Sequence, residues 1–174
     1  MPWLHKLLKL LDKIKPAKVA YAHCDIPCGI YDPHLAQLAA HTVIRMINLI
    51  NELLPQMKPD IPPEQRRDII HKIQRYTSVK EQHAELCKHE VRIIWGDYFK
   101  PEHLEKFPKL HELVFKIMKL GSKARQEVNL QVAEELLDAV NKFAEIFWKT
   151  KGKESVRVKA TFYPTESEMV YPKV

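Results

Sequence analysis

Residues 32–55 read DPHLAQLAAHTVIRMINLINELLP and predict a long amphipathic helix. Asp32 followed by Pro33 is a typical helix start, because the carboxylate can cap first-turn amides and proline lacks only an N–H that this turn does not use. Pro55 ends the pattern. The predicted buried face consists of Leu35, Leu38, Thr42, Val43, Met46, Leu49, Ile50 and Leu53. The predicted solvent face consists of Gln37, His41, Arg45, Asn48 and Glu52.

Three further stretches show the same helical spacing of apolar residues. After a proline-rich link at 55–63, helices are predicted from about Glu64 to Phe99, from Pro108 to Leu120 and from Asn129 to Lys151. Gly121 is the predicted C-terminal cap of the helix that ends at Leu120. Four such helices with short connections predict an all-α fold, an antiparallel four-helix bundle. The predicted inward side chains are Ile69, Ile73, Tyr76, Ala84, Cys87, Val91, Ile94, Trp95, Tyr98, Leu110, Leu113, Val114, Ile117, Leu130, Ala133, Leu136, Leu137, Val140, Phe143 and Phe147.

The sequence after Gly152 differs from the helices. Residues 156–162 alternate like a short strand, and Pro164 and Pro172 interrupt the pattern. We expect residues 153–174 to form a separate tail that need not be ordered.

The composition is that of a single domain. The chain has 174 residues, of which 45% are hydrophobic. No stretch approaches the roughly 18 uninterrupted apolar residues of a membrane span. Three cysteines are too few for a disulfide framework, and a reducing compartment would keep Cys24 and Cys28 as thiols. We therefore expect a cytoplasmic protein without stable membrane association.

Residues 1–22 carry most of the positive charge. The chain has a formal net charge of +6, and this segment holds five lysines against one acid. No RNA-binding or zinc-finger pattern accompanies the lysines, so nucleic-acid binding is not predicted. Apolar residues at helical spacing predict a basic amphipathic helix, and Ala20-Tyr21-Ala22 resembles a small-residue cleavage site. We expect a leader that a processing protease removes directly before His23.

Residues 23–31 read HCDIPCGIY and predict a metal-binding hook. His23, Cys24 and Cys28 place one imidazole and two thiols in a segment too short for a helix or strand. Tetragonal thiolate and nitrogen donors suit Ni(II) or Cu(II), whereas a tetrahedral set suits zinc. Adjacent donors from one backbone segment form small chelate rings that favour a plane, and Gly29 permits the backbone angles that follow. The residues thus favour nickel or copper.

This hook is similar to the nickel-binding N-terminus of the nickel-containing superoxide dismutases. The similarity continues through Tyr31-Asp32-Pro33, through WGDYFKP at 95–101 and through IFWKTK at 146–151. The resemblance implies an oxidoreductase with nickel as its cofactor and superoxide as its substrate. Such an enzyme converts superoxide to oxygen and hydrogen peroxide by cycling between Ni(III) and Ni(II).

The resemblance also implies roles for individual residues. The equatorial ligands would be the His23 α-amine, the Cys24 amide nitrogen and the thiolates of Cys24 and Cys28, with the His23 imidazole as axial ligand. That amine exists only after cleavage, so the leader would keep the precursor inactive. Tyr31 would be the gate tyrosine, Tyr98 a second tyrosine beside it, and Asp25 a tie between the hook and the bundle.

Two positions depart from the family pattern. Members of the family can hold the axial imidazole through a glutamate on the first helix and an arginine on the second, whereas this chain has Ala39 and His83 there. Since outer hydrogen bonds orient metal-bound histidines, the surroundings of the imidazole must differ here. His83, Glu81 and Glu85 are the candidate substitutes.

The predicted organisation is a leader at 1–22, a nickel hook at 23–31, a four-helix bundle at 32–152 and a tail at 153–174. Assembly is also expected, because Ile44 and Ile47 lie beside the core stripe and would be exposed unless subunits pack together. The resemblance implies a homohexamer.

Two other classes of function compete with the dismutase. A non-catalytic storage or transfer protein could use the same hook to carry nickel, copper or zinc. A membrane-surface protein would instead retain the leader and use its lysines on anionic lipid. Other metal-type residues are interpreted as structural: Cys87 as a core residue, and His103 and His111 as solvent-facing or capping residues.

Overall fold

The computed structural model describes residues 29–173 and, before them, only Trp3, Leu4 and Lys9. The predicted leader helix therefore lies almost wholly outside the described residues, and residues 23–28 of the hook lie wholly outside them. The elements are α1 (His34–Leu53), a 3₁₀ turn (Leu54–Gln56), α2 (Pro63–Ile93), a π-helical turn (Ile94–Tyr98), α3 (Pro101–Lys106), α4 (Leu110–Gln126), α5 (Leu130–Thr150), β1 (Ser155–Lys159) and β2 (Glu168–Pro172).

Four long helices form the predicted bundle. α1 packs against α2 and α5, and α4 packs against the same two helices, which closes a ring of four. Apolar side chains from all four fill the centre, and Val43, Ile47, Ile117, Phe143 and Phe147 are fully buried. The all-α fold class and the four-helix bundle are confirmed.

Side chains at the helix starts satisfy first-turn amides, as the sequence indicates. The Asp32 carboxylate accepts a hydrogen bond from the His34 amide at 2.8 Å. The Asn129 side chain accepts one from the Val132 amide at 3.3 Å. Asn129 caps α5 as the sequence predicts, whereas α1 begins one residue later than predicted, with Pro33 and not Asp32 at its N-cap position.

A buried lysine holds the end of α4. Lys80 of α2 is only 1% exposed, and its ammonium donates to the carbonyls of Ala124, Arg125 and Glu127 at 2.6, 2.7 and 3.0 Å. The last carbonyls of a helix lack partners within the helix and favour a cation. Burial lowers the pKa of Lys80, but three charge-assisted hydrogen bonds compensate for its loss of water.

The predicted cap at Gly121 is wrong. α4 continues to Gln126, and Gly121 lies buried within it. A Cβ at this position would lie 2.7 Å from Cγ of Lys88, so the glycine serves close packing against α2 instead of ending the helix. The short helix α3 was also not predicted.

Several predicted helix faces are corrected by the structure. Leu35 is 53% exposed, whereas Gln37 and His41 are 1% and 5% exposed, because the C-terminal segment covers the polar side of α1. Trp95 is also exposed, at 37%, in the π-helical turn after α2, where its indole N–H donates to His111 at 3.0 Å. The list of buried α1 residues is Ala36, Gln37, Ala39, Ala40, His41, Val43, Ile44, Ile47, Ile50 and Leu53.

Ile44 and Ile47 belong to the core of a single chain, at 2% and 0% exposure. They therefore do not support the expected packing between subunits. Both side chains are covered within one chain because α1 is buried on more than one side, not along a single apolar stripe.

The tail is an ordered hairpin. β1 pairs with β2 in antiparallel register from Ser155 opposite Pro172 to Lys159 opposite Glu168. The expectation that the tail need not be ordered is corrected, because β2 packs on the bundle and buries Met169 and Val170 at 0% and 2% exposure. Pro172 ends the strand and does not interrupt it.

Candidate functional site

The predicted metal ligands His23, Cys24 and Cys28, together with Asp25, lie outside the described residues. The described chain resumes at Gly29, whose φ of +85° lies in the left-handed region that favours glycine. The sequence prediction for Gly29 is therefore confirmed. The backbone turns here, two residues before Tyr31.

The two predicted tyrosines of the site lie together. The ring centroids of Tyr31 and Tyr98 are 5.7 Å apart, with 49° between the ring planes. Tyr31 precedes α1, and Tyr98 ends the π-helical turn after α2. Two helices therefore bring the pair together at one end of the bundle, next to where the predicted hook joins it.

The π-helical turn positions Tyr98. Within it, the Phe99 amide donates to the Ile94 carbonyl at 3.3 Å, a wider loop than an α-helix makes. Phe99 and Lys100 are then extended, at φ −72° and −120°, as expected before Pro101. Pro101 starts α3, which returns the chain past Tyr98.

Aromatic rings surround Tyr98. Its ring centroid lies 4.8 Å from that of Phe147 and 5.2 Å from that of Phe99. The His103 ring of α3 stacks on it at 5.6 Å, with only 21° between the planes. These contacts hold Tyr98 in one orientation.

Polar groups from the end of α5 reach the same tyrosine. The Tyr98 hydroxyl lies 2.8 Å from Oγ1 of Thr150. The ammonium of Lys151 lies 4.6 Å from the centroid of the Tyr98 ring, within cation–π distance. The tyrosine pair is thus bordered by a positive charge that would attract an anion.

Sequence reasoning missed His103, Thr150 and Lys151 as neighbours of the site. His103 was interpreted as a solvent-facing or capping residue, and its Nδ1 does accept a hydrogen bond from the Lys100 amide at 3.2 Å. Its stacking on Tyr98 had no sequence signal. Thr150 and Lys151 belong to the motif at 146–151, which indicated the family without indicating a role.

The two positions that depart from the family pattern lie elsewhere. Ala39 is buried in the core at 1% exposure. Nδ1 of His83 is hydrogen-bonded to the Val79 carbonyl of its own helix at 2.9 Å. His83 precedes Tyr98 by fifteen residues, so the two are about 22 Å apart along the helix axis. Within one chain, His83 therefore lies far from the tyrosine pair.

Glu85, another candidate substitute, is engaged in a charge cluster. Its carboxylate contacts Arg92 at 2.8 Å, Arg125 at 2.9 Å and Lys88 at 3.3 Å. The hydrogen bond from Arg92 is the main reason that the pKa of Glu85 falls to about 2. This cluster joins α2 to α4 and accounts for Glu85 structurally.

Cys87 is a core residue, as predicted. It is fully buried, and burial raises the pKa of its thiol to about 12, so the nucleophilic thiolate is suppressed. Among the described residues, no group of three or more His, Cys, Asp or Glu side chains could hold a metal ion. Within the same part of the chain, no helix has the length and apolarity to span a membrane.

Comparisons with known proteins point to one family. A family model described as nickel-containing superoxide dismutase matches residues 18–151. Curated proteins named superoxide dismutase [Ni], from Streptomyces coelicolor and Streptomyces seoulensis, are each 38% identical over 143 residues, which cover 82% of this chain and 98% of each relative.

Solved structures agree with this match. The native structure of a nickel superoxide dismutase aligns with a TM-score of 0.61 and 39% identity, covering 74% of this chain and 99% of that one. A structure of a nickel-containing superoxide dismutase with the ligation of the oxidised state aligns with a TM-score of 0.62 and 36% identity, covering 75% and 99%. The family match ends at residue 151, so the hairpin lies beyond it.

Proposed function

This chain belongs to the nickel-containing superoxide dismutase family, and we propose that residues 23–31 form its nickel hook, with Tyr31 and Tyr98 guarding the site. It is a nickel-dependent oxidoreductase whose substrate is superoxide. The finer assignment of residues rests on the sequence of the hook and on the geometry at its base. The observation that carries it is the Tyr31–Tyr98 pair, 5.7 Å apart, which lies where the last residue of the hook meets the bundle.

The donor set of the hook fits nickel. His23, Cys24 and Cys28 supply nitrogen and thiolate donors from one short segment, which suits a tetragonal metal. Bound nickel supplies a Ni(III)/Ni(II) couple that can accept an electron from one superoxide and give one to the next. Cys24 and Cys28 must lose their protons to bind, so nickel loading falls in acid.

The described residues would control what reaches the metal. Lys151 places a positive charge at the tyrosine pair, which favours the approach of a small anion such as superoxide. Tyr31 and Tyr98, with ring centroids 5.7 Å apart, would restrict the approach of larger anions, and Phe147 supports the Tyr98 ring from the core at 4.8 Å. Asp25 would tie the hook to the bundle.

We also propose that the mature enzyme begins at His23. Removal of residues 1–22 by a processing protease would free the His23 amine as a ligand, and the small-residue sequence Ala20-Tyr21-Ala22 supports cleavage there. The reducing conditions that keep both thiols available favour a cytoplasmic location. A homohexamer remains a proposal from the family resemblance.

The test compares nickel-loaded protein beginning at His23 with the uncut 174-residue chain, by stopped-flow measurement of superoxide loss. We expect fast catalytic loss only in the trimmed form. Cys24→Ser and Cys28→Ser should each abolish it, whereas the matched control Cys87→Ala, which changes a core cysteine, should retain it. Bound nickel without catalysis in either form would overturn the proposal and favour metal storage or transfer.

A further inference from the structure

Thr150 fixes the direction of the hydrogen bond made by Tyr98. Oγ1 of Thr150 lies 2.6 Å from the Phe147 carbonyl oxygen and 2.8 Å from the Tyr98 hydroxyl. A carbonyl oxygen only accepts, so the single Thr150 hydroxyl proton must lie between Thr150 and Phe147. The Thr150 oxygen is then left as an acceptor, and Tyr98 must donate to it.

The ring contacts hold Tyr98 in the orientation that directs its hydroxyl toward Thr150. Lys151 sits over the ring at 4.6 Å, His103 stacks on it at 5.6 Å, and Phe147 packs at 4.8 Å. With the ring held and its proton directed at Thr150, the remaining capacity of the Tyr98 oxygen is to accept hydrogen bonds. Tyr98 can therefore accept a hydrogen bond from water or from a protonated ligand, but its own O–H is not available to donate one to an anion.

We propose that Thr150 is a positioning residue that sets the anion selectivity of the site through Tyr98. Because the Tyr98 O–H donates to Thr150, it cannot donate a hydrogen bond to an anion that binds at the tyrosine pair. A protonated product such as hydrogen peroxide can still donate to the tyrosine oxygen. This inference rests on the proposed function, because it assumes that anions reach the tyrosine pair on their way to the metal.

The first experiment tests the hydrogen bond in the full-length chain without metal. The tyrosine Raman doublet reports whether a phenol donates or accepts, so difference spectra are recorded between the wild type and Thr150→Val and Thr150→Ala. Both variants should shift the doublet away from the donor state, and Thr150→Ser should restore it. Thr42→Val is the matched control, since Thr42 also donates to a carbonyl of its own helix, that of Leu38, at 3.0 Å.

The second experiment measures inhibition by azide, a small anion, in nickel-loaded protein beginning at His23. Freed from Thr150, the Tyr98 proton can turn toward a bound anion, so azide should bind about 2- to 12-fold more tightly to Thr150→Val, the range of one ordinary hydrogen bond. In a Tyr98→Phe background, the same substitution should leave azide inhibition unchanged.

The outcomes separate this inference from the proposed function. An unchanged Raman doublet in both Thr150→Val and Thr150→Ala overturns the hydrogen-bond assignment, whatever the catalysis. A shifted doublet with unchanged azide inhibition overturns the role in selectivity. Absence of superoxide turnover in the nickel-loaded wild type overturns the proposed function, and with it the claim about anions, but leaves the Raman result to decide the hydrogen bond.

Discussion

Two seams hold the described chain together, and they are built from different groups. The seam between the four helices is almost entirely apolar, with Phe143 and Phe147 at its centre. The seam between the hairpin and helices α1 and α5 buries the apolar side chains of Met169 and Val170 and, unlike the helical seam, also contains several polar contacts. There the Gln37 amide accepts from the Val170 N–H at 2.7 Å and donates to the Val170 carbonyl at 3.1 Å.

Other polar contacts extend the hairpin seam. Asn141 of α5 donates to the Glu168 carbonyl at 2.9 Å, and Arg157 of β1 contacts Asp138 at 3.0 Å. A hydrogen bond contributes little net stability, but removal of one buried partner destabilises the fold by more than that contribution, because the other partner is left unsatisfied. Apolar contacts stabilise in proportion to the area that they bury. The helical seam should therefore set global stability, and the hairpin seam should set where the tail is attached.

The largest effect is expected in the helical seam, from Phe143→Ala. The substitution leaves a cavity at a fully buried site and should lower the free energy of unfolding by about 3–5 kcal/mol. Urea denaturation measures the change. Phe115→Ala is the control, since Phe115 is 63% exposed, and it should cost less than about 1 kcal/mol. Equal losses in the two variants would contradict the apolar description of this seam.

Lys80→Met should have the next largest effect, because Lys80 is a polar exception inside the helical seam. Three carbonyls at the end of α4 lose their donor, the buried one of Ala124 among them, and we expect the free energy of unfolding in urea denaturation to fall by about 2–3 kcal/mol. Lys72→Met changes an exposed lysine on the same helix and should cost less than about 0.5 kcal/mol. A gain in stability from Lys80→Met would show that the ammonium is not needed as a cap.

The apolar seam is the part of the fold that could be predicted from sequence. Every predicted inward residue of the last helix from Ala133 onward is buried. An apolar spacing that repeats over many turns fits only one face of a helix, and that face must be covered. Lys80 could not be predicted, since a lysine in a polar stretch of α2 looks like any solvated lysine. Its burial depends on carbonyls that only the tertiary structure brings to it.

The hairpin seam explains the failures on α1. Gln37 and His41 have the polarity of a solvent face, and the hydrogen bonds that compensate for their burial come from residues more than 120 positions later in the chain. Periodicity is local and carries no information about such partners. The candidate site shows the same division: the tyrosines were predicted from family motifs, whereas the neighbours His103 and Thr150 depend on where α3 begins and where α5 ends.

Gln37→Ala should loosen the hairpin more than it weakens the bundle. The N–H and the carbonyl of Val170 both lose a buried partner, so the Val170 amide should exchange with deuterium about 10- to 100-fold faster, equivalent to about 1.4–2.7 kcal/mol of local stability. Gln131→Ala, on an exposed face of α5, should leave that rate unchanged. Unchanged protection of Val170 in Gln37→Ala would mean that apolar contacts alone attach the tail.

The smallest effect is expected from His41, which lies in the hairpin seam. Its burial should make the free energy of unfolding depend on pH. Nδ1 of His41 is hydrogen-bonded to Thr165 at 2.7 Å, and the ring packs edge-on against Tyr163. Nε2 is buried and has no hydrogen-bond partner among the residues that the structure describes. Burial lowers the pKa of His41, and the nearby Glu168 carbonyl opposes this only in part. The folded chain therefore resists protonation at His41.

The sign of the pH effect follows from this resistance. Below about pH 6.5 the unfolded imidazole takes up a proton that folded His41 refuses, so stability contributed at this site falls with acid, by at most about 1.4 kcal/mol per pH unit until the folded pKa is reached. Between pH 7.5 and 5.5, the free energy of unfolding, measured by denaturation, should fall less for His41→Gln than for the wild type. For His71→Gln, at an exposed position, it should fall as much as for the wild type. If the free energy of unfolding depends on pH equally in His41→Gln and in the wild type, the tail must move away from His41 and let water reach the imidazole.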